Sequence, residues 1–219
     1  MRKCAIIPAL NEEKHISEVV EKVKRNNVDP IVINDGSIDN TYNLALSSGA
    51  QVISHKTKQG KGSAIRDGLN FALERNYDLI FTLDGDGQHN PEEIGVFLNA
   101  LEDNSIVVGN RMHNPKNMPL WRNISNRVNS LVVSFVCGQK VPDAQCGYRL
   151  FTSESIKAID IEANNYEIEL EMIIKLSRKG FKIISVPVDS IYGLERSDIR
   201  PVKDSLKVFV FLVRMLIRA

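Results

Sequence analysis

Apolar residues along this chain fall into short unbroken blocks: "CAIIPA", "PIVIND", "QVISH", "YDLIFTL", "SIVVGNR" and "FKIISVPV". Each has the length and β-branched content of a buried strand, and each runs into a polar or glycine-containing turn. Segments with helical spacing separate them. Ile16, Val19, Val20 and Val23 predict a helix over 12–25, and "NTYNLALSSG" predicts one that Asp39 caps and Gly49 ends. "GKGSAIRDGLNFALERN" is a glycine loop feeding a helix, and "NPEEIGVFLNALED" is a helix with Pro91 near its start. This alternation predicts a doubly wound, mostly parallel α/β sheet with helices on both faces. After Arg111 the rhythm changes. An irregular stretch, a helix over "RNISNRVNSLVVSFVCG", the loop "KVPDAQCG", the strand "YRLFT" and the helix "YEIELEMIIKLSRKG" predict a mixed second half. A polar loop, "SIYGLERSDIRP", then leads to a last apolar helix. With no repeat and no low-complexity linker, the expected organisation is one catalytic-size domain over 1–200 and a separate helix over 201–219.

Composition narrows the function classes. At 219 residues, 43% hydrophobic and 25% charged, the chain has enough apolar material for one sizeable core. A net charge of +1 with no basic block in the main body argues against a nucleic-acid partner. Cys4, Cys137 and Cys146 are odd in number and match no zinc spacing, which predicts a reducing compartment. The start is not a signal peptide, and no apolar run reaches the roughly 20 residues a bilayer span needs. The expected location is cytoplasmic.

The chemistry concentrates in "LIFTLDGDGQHNPEEI". Asp84 and Asp86 stand one residue apart at the tip of a buried strand, where they repel each other unless a positive charge lies between them. Ligands of open α/β sheets bind at the carboxyl ends of the strands. Pro8 to Glu12, Asn34 to Ser37 and the glycine-rich "QGKGSA" should gather at that edge too. Two carboxylates and the Gln88 amide suit a hard divalent cation, magnesium or manganese, shared with substrate phosphates. An EF-hand loop would need Gly and Glu where His89 and Gly95 stand. A haloacid-dehalogenase-type phosphotransferase would have Thr in place of Gln88. A dinucleotide fold would need glycines where "PALNEE" stands.

In order, "IIPALNEE", "INDGSIDN", "GKGSAIRDG", "LDGDGQHNPEEI", "VGNR", "DAQCGYRLF" and "YEIELEM" resemble the family-two glycosyltransferases of the GT-A fold. Within that family the chain resembles the dolichyl-phosphate mannosyltransferase-like enzymes, and the likeness covers nearly the whole chain. It implies inverting transfer of a sugar from a GDP- or UDP-linked donor to a polyprenyl phosphate. It implies that Pro8, Ala9, Asn11, Glu12, Asp35, Lys61, Asp84, Gly85, Arg149, Glu171, Ser197 and Arg200 line the nucleotide-sugar site. Asp84, Asp86 and Gln88 would hold Mg2+ or Mn2+. Arg111, Arg122 and Arg127 would face the acceptor phosphate, with Asp86, Asp143 and Arg111 at the reacting centre. Many relatives carry two aspartates where this chain has Asn34 and Asp35. Asp143 is assigned to positioning, because a phosphate acceptor is ionised at neutral pH and needs no general base. Gln145, Tyr148 and Tyr166 are expected near the sugar. His89 is expected to shape the metal loop rather than ligate, and Cys146 to be a packed small residue.

Other readings stay open. Transfer to a glycan hydroxyl in cell-envelope polysaccharide synthesis would need a base. A metal-dependent phosphatase would use Asp84 as nucleophile, and a regulatory subunit would bind nucleotide without turnover. In "PVKDSLKVFVFLVRMLIRA" and the Arg200 before it, Arg200, Lys203, Lys207, Arg214 and Arg218 fall in one stripe of an otherwise apolar helix. That pattern suits a membrane interface and predicts a peripheral location on the cytosolic face, with docking on protein as the alternative. The residues leave open the base and sugar of the donor and whether the chain forms a homo-oligomer.

Overall fold

The computed structural model describes residues 1–115, 118–189 and 191. Seven strands, β1 (Lys3–Ala9), β2 (Asp29–Asn34), β3 (Gln51–Ser54), β4 (Leu79–Thr82), β5 (Ser105–Asn110), β6 (Arg149–Thr152) and β7 (Lys182–Pro187), form one sheet. Their spatial order is β3-β2-β1-β4-β6-β5-β7. β1 pairs in parallel with β2 and β4, β2 with β3, and β5 with β7. β6 runs antiparallel to both its neighbours, β4 and β5. The mixed second half therefore comes down to a single reversed strand wedged into a parallel sheet. The apolar blocks explain the buried interior: every residue of β4 is buried, as are all but the last of β5 and all but the first of β2.

Seven α-helices lie between these strands among the described residues: α1 (Ile16–Arg25), α2 (Thr41–Ser47), α3 (Lys61–Glu74), α4 (Ile94–Ala100), α5 (Leu120–Cys137), α6 (Ser153–Lys157) and α7 (Ile168–Arg178). α1 buries the four residues its spacing singles out, Ile16, Val19, Val20 and Val23. It begins later than expected, because residues 12–15 form a hydrogen-bonded turn in which the Glu12 carbonyl accepts from the amides of His15 and Ile16. Asp39 is not the cap of α2: the N-cap is Asn40, which makes no side-chain cap bond, and Asp39, one residue earlier, accepts from the Thr41 amide at 3.0 Å through its Oδ1. Pro91 opens a 3-10 turn, capped by Asn90, before α4. α3 lies close on the sheet at Gly68, where a Cβ would come within 2.4 Å of Ile6. The pattern did not predict α6. Its one signal is Thr152, whose hydroxyl accepts from the Ser155 amide as an N-cap.

The parallel register brings the ends of β1, β2 and β4 to one edge, and the reversed β6 begins there, with Arg149 opposite both Thr82 and Val108. The loops after Ala9, Asn34, Thr82 and Asn110 and the loop before Arg149 therefore meet at one place. No helix among the described residues is long and apolar enough to cross a membrane. The expected boundary near residue 200, Ser197, Arg200 and the 201–219 helix all lie outside the described residues.

Candidate active site

Asp84 leaves the end of β4 half-buried, and Gly85 lets it pass close to β1: a Cβ there would sit 3.2 Å from the Pro8 carbonyl oxygen and 3.3 Å from the Ala9 Cβ. The first residue of α3, Lys61, reaches across to this point. Its Nζ lies 2.6 Å from Asp84 Oδ1 and 2.8 Å from Glu169 Oε1 on α7. Burial pulls the Lys61 ammonium down, and the two carboxylates outweigh it and hold it charged. Burial likewise pushes the Asp84 carboxyl up, and Lys61 foremost, with Arg111, brings it down to about 2. Among the described residues Asp86 has no ion-pair partner of this kind. Burial first, and then the Asp84 charge, raise its carboxyl, partly offset by the Gln88 amide that donates to Oδ1 at 3.0 Å. Asp86 is thus where positive charge is wanted.

His89 holds the loop from beneath. Its Nδ1 accepts from the Asp84 amide at 3.2 Å, which leaves the ring proton on Nε2, 4.0 Å from Cys146 Sγ. Burial pushes the imidazole down to about 4, so it is neutral. The ring packs near Tyr148, which stacks on Phe97. Burial also raises the Cys146 thiol to about 12, leaving it inert as expected. Gly147 is forced to be small: a Cβ there would come within 3.2 Å of both Asp84 Oδ2 and Lys61 Nζ.

On the side of β2 and β3, Asp35 is only 4% exposed. Its Oδ1 accepts from the Gln59 amide at 2.7 Å and its Oδ2 from the Gly60 amide at 2.8 Å. His55 bridges it to Asp67, with Nδ1 at 2.7 Å from Asp35 and Nε2 at 3.0 Å from Asp67. Asp35 anchors the glycine loop from below. His55 carried no signal in the sequence, yet it stands just past the end of β3, at the same sheet edge. The helix amides of Gly62 and Ser63 donate to the Asn164 carbonyl oxygen, so chain, not ligand, closes that end of α3. Asn11 takes a left-handed backbone, and its Oδ1 accepts from the Ile38 amide, joining the first two loops. The Glu12 amide donates to the Thr41 hydroxyl at 2.7 Å.

On the opposite side, Arg111 and Asp143 form a buried two-pronged pair: Nε to Oδ2 at 2.8 Å and Nη2 to Oδ1 at 3.0 Å. The Arg111 amide donates to the same Oδ2. Burial pushes the Asp143 carboxyl up, and Arg111 outweighs it and holds it below the usual carboxylate range. Arg122 approaches Asp86 closely enough to help lower it, whereas Arg127 is exposed and its Nε donates back to Asn123 at 2.6 Å.

Three expectations need correction. Arg149 is not at an open donor pocket. It is 1% exposed, and its guanidinium donates to the carbonyl oxygens of Ala144, Cys146 and Glu169, tying the Asp143–Gly147 loop to α7. Glu171 is not at the site either. It accepts from the amides of Glu162 and Ala163 and pairs with Lys175 at 2.7 Å. The glutamate that does reach the site is Glu169, two residues earlier and so on the other side of α7. Tyr148 lies in the core under the Asp84–His89 loop, while Tyr166 is exposed, its ring centre 5.9 Å from Lys61 Nζ.

The donor set of Asp84, Asp86 and Gln88 has the oxygen chemistry of a Mg2+ or Mn2+ site. Among the described residues no three His, Cys, Asp or Glu side chains cluster to hold an ion by themselves, so such an ion would complete its shell with ligand oxygens.

Comparison with known proteins fits this arrangement. The chain is 34% identical over 212 residues to the UDP-N-acetylglucosamine–dolichyl-phosphate N-acetylglucosaminyltransferase of Methanococcus voltae, covering 85% of this chain and 84% of that one. It is 30% identical over 201 residues to the undecaprenyl-phosphate mannosyltransferase of Micrococcus luteus, covering 86% and 83%. The fold matches glucosyl-3-phosphoglycerate synthase of Mycobacterium tuberculosis, solved with Mn2+, UDP-glucose and phosphoglyceric acid, with a TM-score of 0.75 at 18% identity over 98% of this chain and 79% of that one. Residues 4–160, from the first strand through the carboxylate loop to the reversed strand, match the glycosyl transferase family 2 profile. With a GT-A sheet and a family profile matched over most of its length, the chain belongs to glycosyl transferase family 2.

Proposed function

We propose that the protein moves a sugar from a nucleoside-diphosphate donor to a polyprenyl phosphate, with inversion at the anomeric carbon. The observation that carries the donor half is the unequal carboxylate pair: Asp84 is neutralised by Lys61, and Asp86 is left in need of a cation. Asp86, with Asp84 and Gln88, would hold Mg2+ or Mn2+, which would supply Lewis-acid neutralisation of the departing diphosphate. Lys61, fixed between Asp84 and Glu169, adds a positive charge beside that leaving group. The anchored loop from Asp35 to Gly60 walls the nucleoside side.

The acceptor half draws on the printed activities of the Methanococcus and Micrococcus relatives and on Asp143. A hydroxyl acceptor needs a base, and Asp143 is a poor one: both its oxygens bind Arg111, and its carboxyl is held low. A phosphate acceptor arrives ionised. One of its oxygens forms the new bond to the anomeric carbon as the bond to the donor diphosphate breaks on the opposite face. Arg111 and Arg122 are the cations on that side.

The test is thermal stabilisation by UDP and GDP, with and without Mn2+, for the wild type and Asp86→Asn. Metal-dependent stabilisation by one nucleotide, lost in the variant, is expected and names the base. No shift with either nucleotide would overturn the reading and bring a phosphatase forward.

A further inference from the structure

α5 presents an apolar seam to solvent. Trp121, Ile124, Val128, Leu131 and Phe135 are 44%, 55%, 55%, 72% and 82% exposed, and Leu120 at the helix start is 76% exposed. The first five follow one another at intervals of three, four, three and four residues, so they form a single stripe along the helix. The opposite side of α5 is spoken for by the buried Asn126, Ser130 and Val133. Solvated monomers rarely leave so continuous an apolar surface uncovered.

Charge decides what covers it. From 112 to 142 the sequence contains Lys116, Arg122, Arg127 and Lys140 and no Asp or Glu. A second copy docked seam to seam would set Arg122, Arg127 and Lys140 against their own copies, with no carboxylate in that stretch of sequence to pair them. The basic, apolar segment over 201–219 has the same sign, with Lys203, Lys207, Arg214 and Arg218 against Asp204 alone. An anionic lipid surface complements both features, taking the apolar stripe into its acyl boundary and the flanking cations at its headgroups.

We propose that α5 is a membrane-contact helix, seated with its Trp121–Phe135 seam in the interface of an anionic bilayer. Arg122, near the helix start, is also one of the cations felt by Asp86, after Lys61, so a seated α5 would hold the mouth of the site at headgroup level. This placement deepens the proposed lipid-phosphate acceptor and rests on that reading for its purpose. The contact itself is testable without donor or acceptor.

Trp121 is the only tryptophan in the chain and lies on the seam, so it reports directly. The full chain is mixed with vesicles of phosphatidylcholine alone, or with a third phosphatidylglycerol, and Trp121 emission is followed together with quenching by brominated acyl chains. A blue shift and quenching with the anionic vesicles are expected. Sedimentation with the same vesicles should show at least a tenfold weaker partition for I124S/L131S/F135S. The single variant Leu131→Ser, checked for unchanged melting, should weaken it by a smaller factor.

Vesicle binding without a Trp121 shift, or undiminished binding of both variants, would overturn the proposal and move the contact elsewhere, the 201–219 segment included. A dimer that I124S/L131S/F135S dissociates, in a protein that ignores vesicles, would overturn it in favour of a second copy. Because these readouts use no nucleotide, their failure is separate from failure of the UDP and GDP test.

Discussion

The two sides of the site hold their acids in different ways. On the side proposed for the nucleoside, Asp35 is fixed by the Gln59 and Gly60 amides and by His55, all from neighbouring loops at the ends of parallel strands. On the side proposed for the acceptor, Asp143 is fixed by the side chain of Arg111, thirty-two positions away in sequence, and Arg149 by three carbonyl oxygens of the surrounding loop and α7. The first arrangement spreads a carboxylate's charge over backbone donors. The second buries full charges against each other, which makes either partner costly to remove. The acceptor side should therefore be the more fragile half, and the nucleoside side the more forgiving.

The sharpest break of that contrast is Asp143→Asn. It leaves Arg111 buried with half its fork unmatched and should cost about 3–5 kcal/mol in urea unfolding at neutral pH. The pH dependence follows from the depressed Asp143 carboxyl. Its contribution is complete above the unfolded value near 4 and is lost as pH falls through the lower folded value. Wild-type stability should thus drop in acid below about pH 4, and Asp143→Asn should drop less over that window. Equal acid slopes in the two proteins would remove Asp143 from the account.

Next in size are the two glutamates of α7. Glu171→Gln should lower stability by about 1–3 kcal/mol, because Glu162, Ala163 and Lys175 lose a charged partner, while donor KM stays near wild type. Glu169→Gln frees one side of Lys61 and should raise donor KM severalfold with less change in melting. The opposite pattern would restore Glu171 to the site.

Gly147→Ala pushes a methyl against Asp84 and Lys61 and should lower kcat/KM about tenfold, near 1.4 kcal/mol, with little loss of stability. The smallest effect is expected on the forgiving side. His55→Gln keeps a donor toward Asp35 and should cost under about 1 kcal/mol, with at most a few-fold weaker nucleoside diphosphate binding by calorimetry. A large loss there would mean that the Asp67–His55–Asp35 bridge acts as a buried charge network too.

The sequence by itself determined the parallel half and where its chemistry sits. Buried strands read as unbroken apolar blocks, and ligand-bearing loops follow their carboxyl ends, so Asp84, Asp86 and Asp35 could be placed from local pattern alone. It also placed α1 to the face, since four apolar residues at helical spacing admit one buried side. Only the tertiary structure decided which charged residues work at the surface of the site and which hold it up. Glu169 and Glu171 look alike in sequence. A two-residue step on a helix turns them to different sides, and only the packing of α7 shows which side meets Lys61. Arg149 and His55 gained their roles in the same way, from loops that β6 and β3 bring to one edge. Propensity and periodicity report a residue's own element. A charge-to-charge contact depends on two elements and the distance between them, and that distance exists only once the chain has folded.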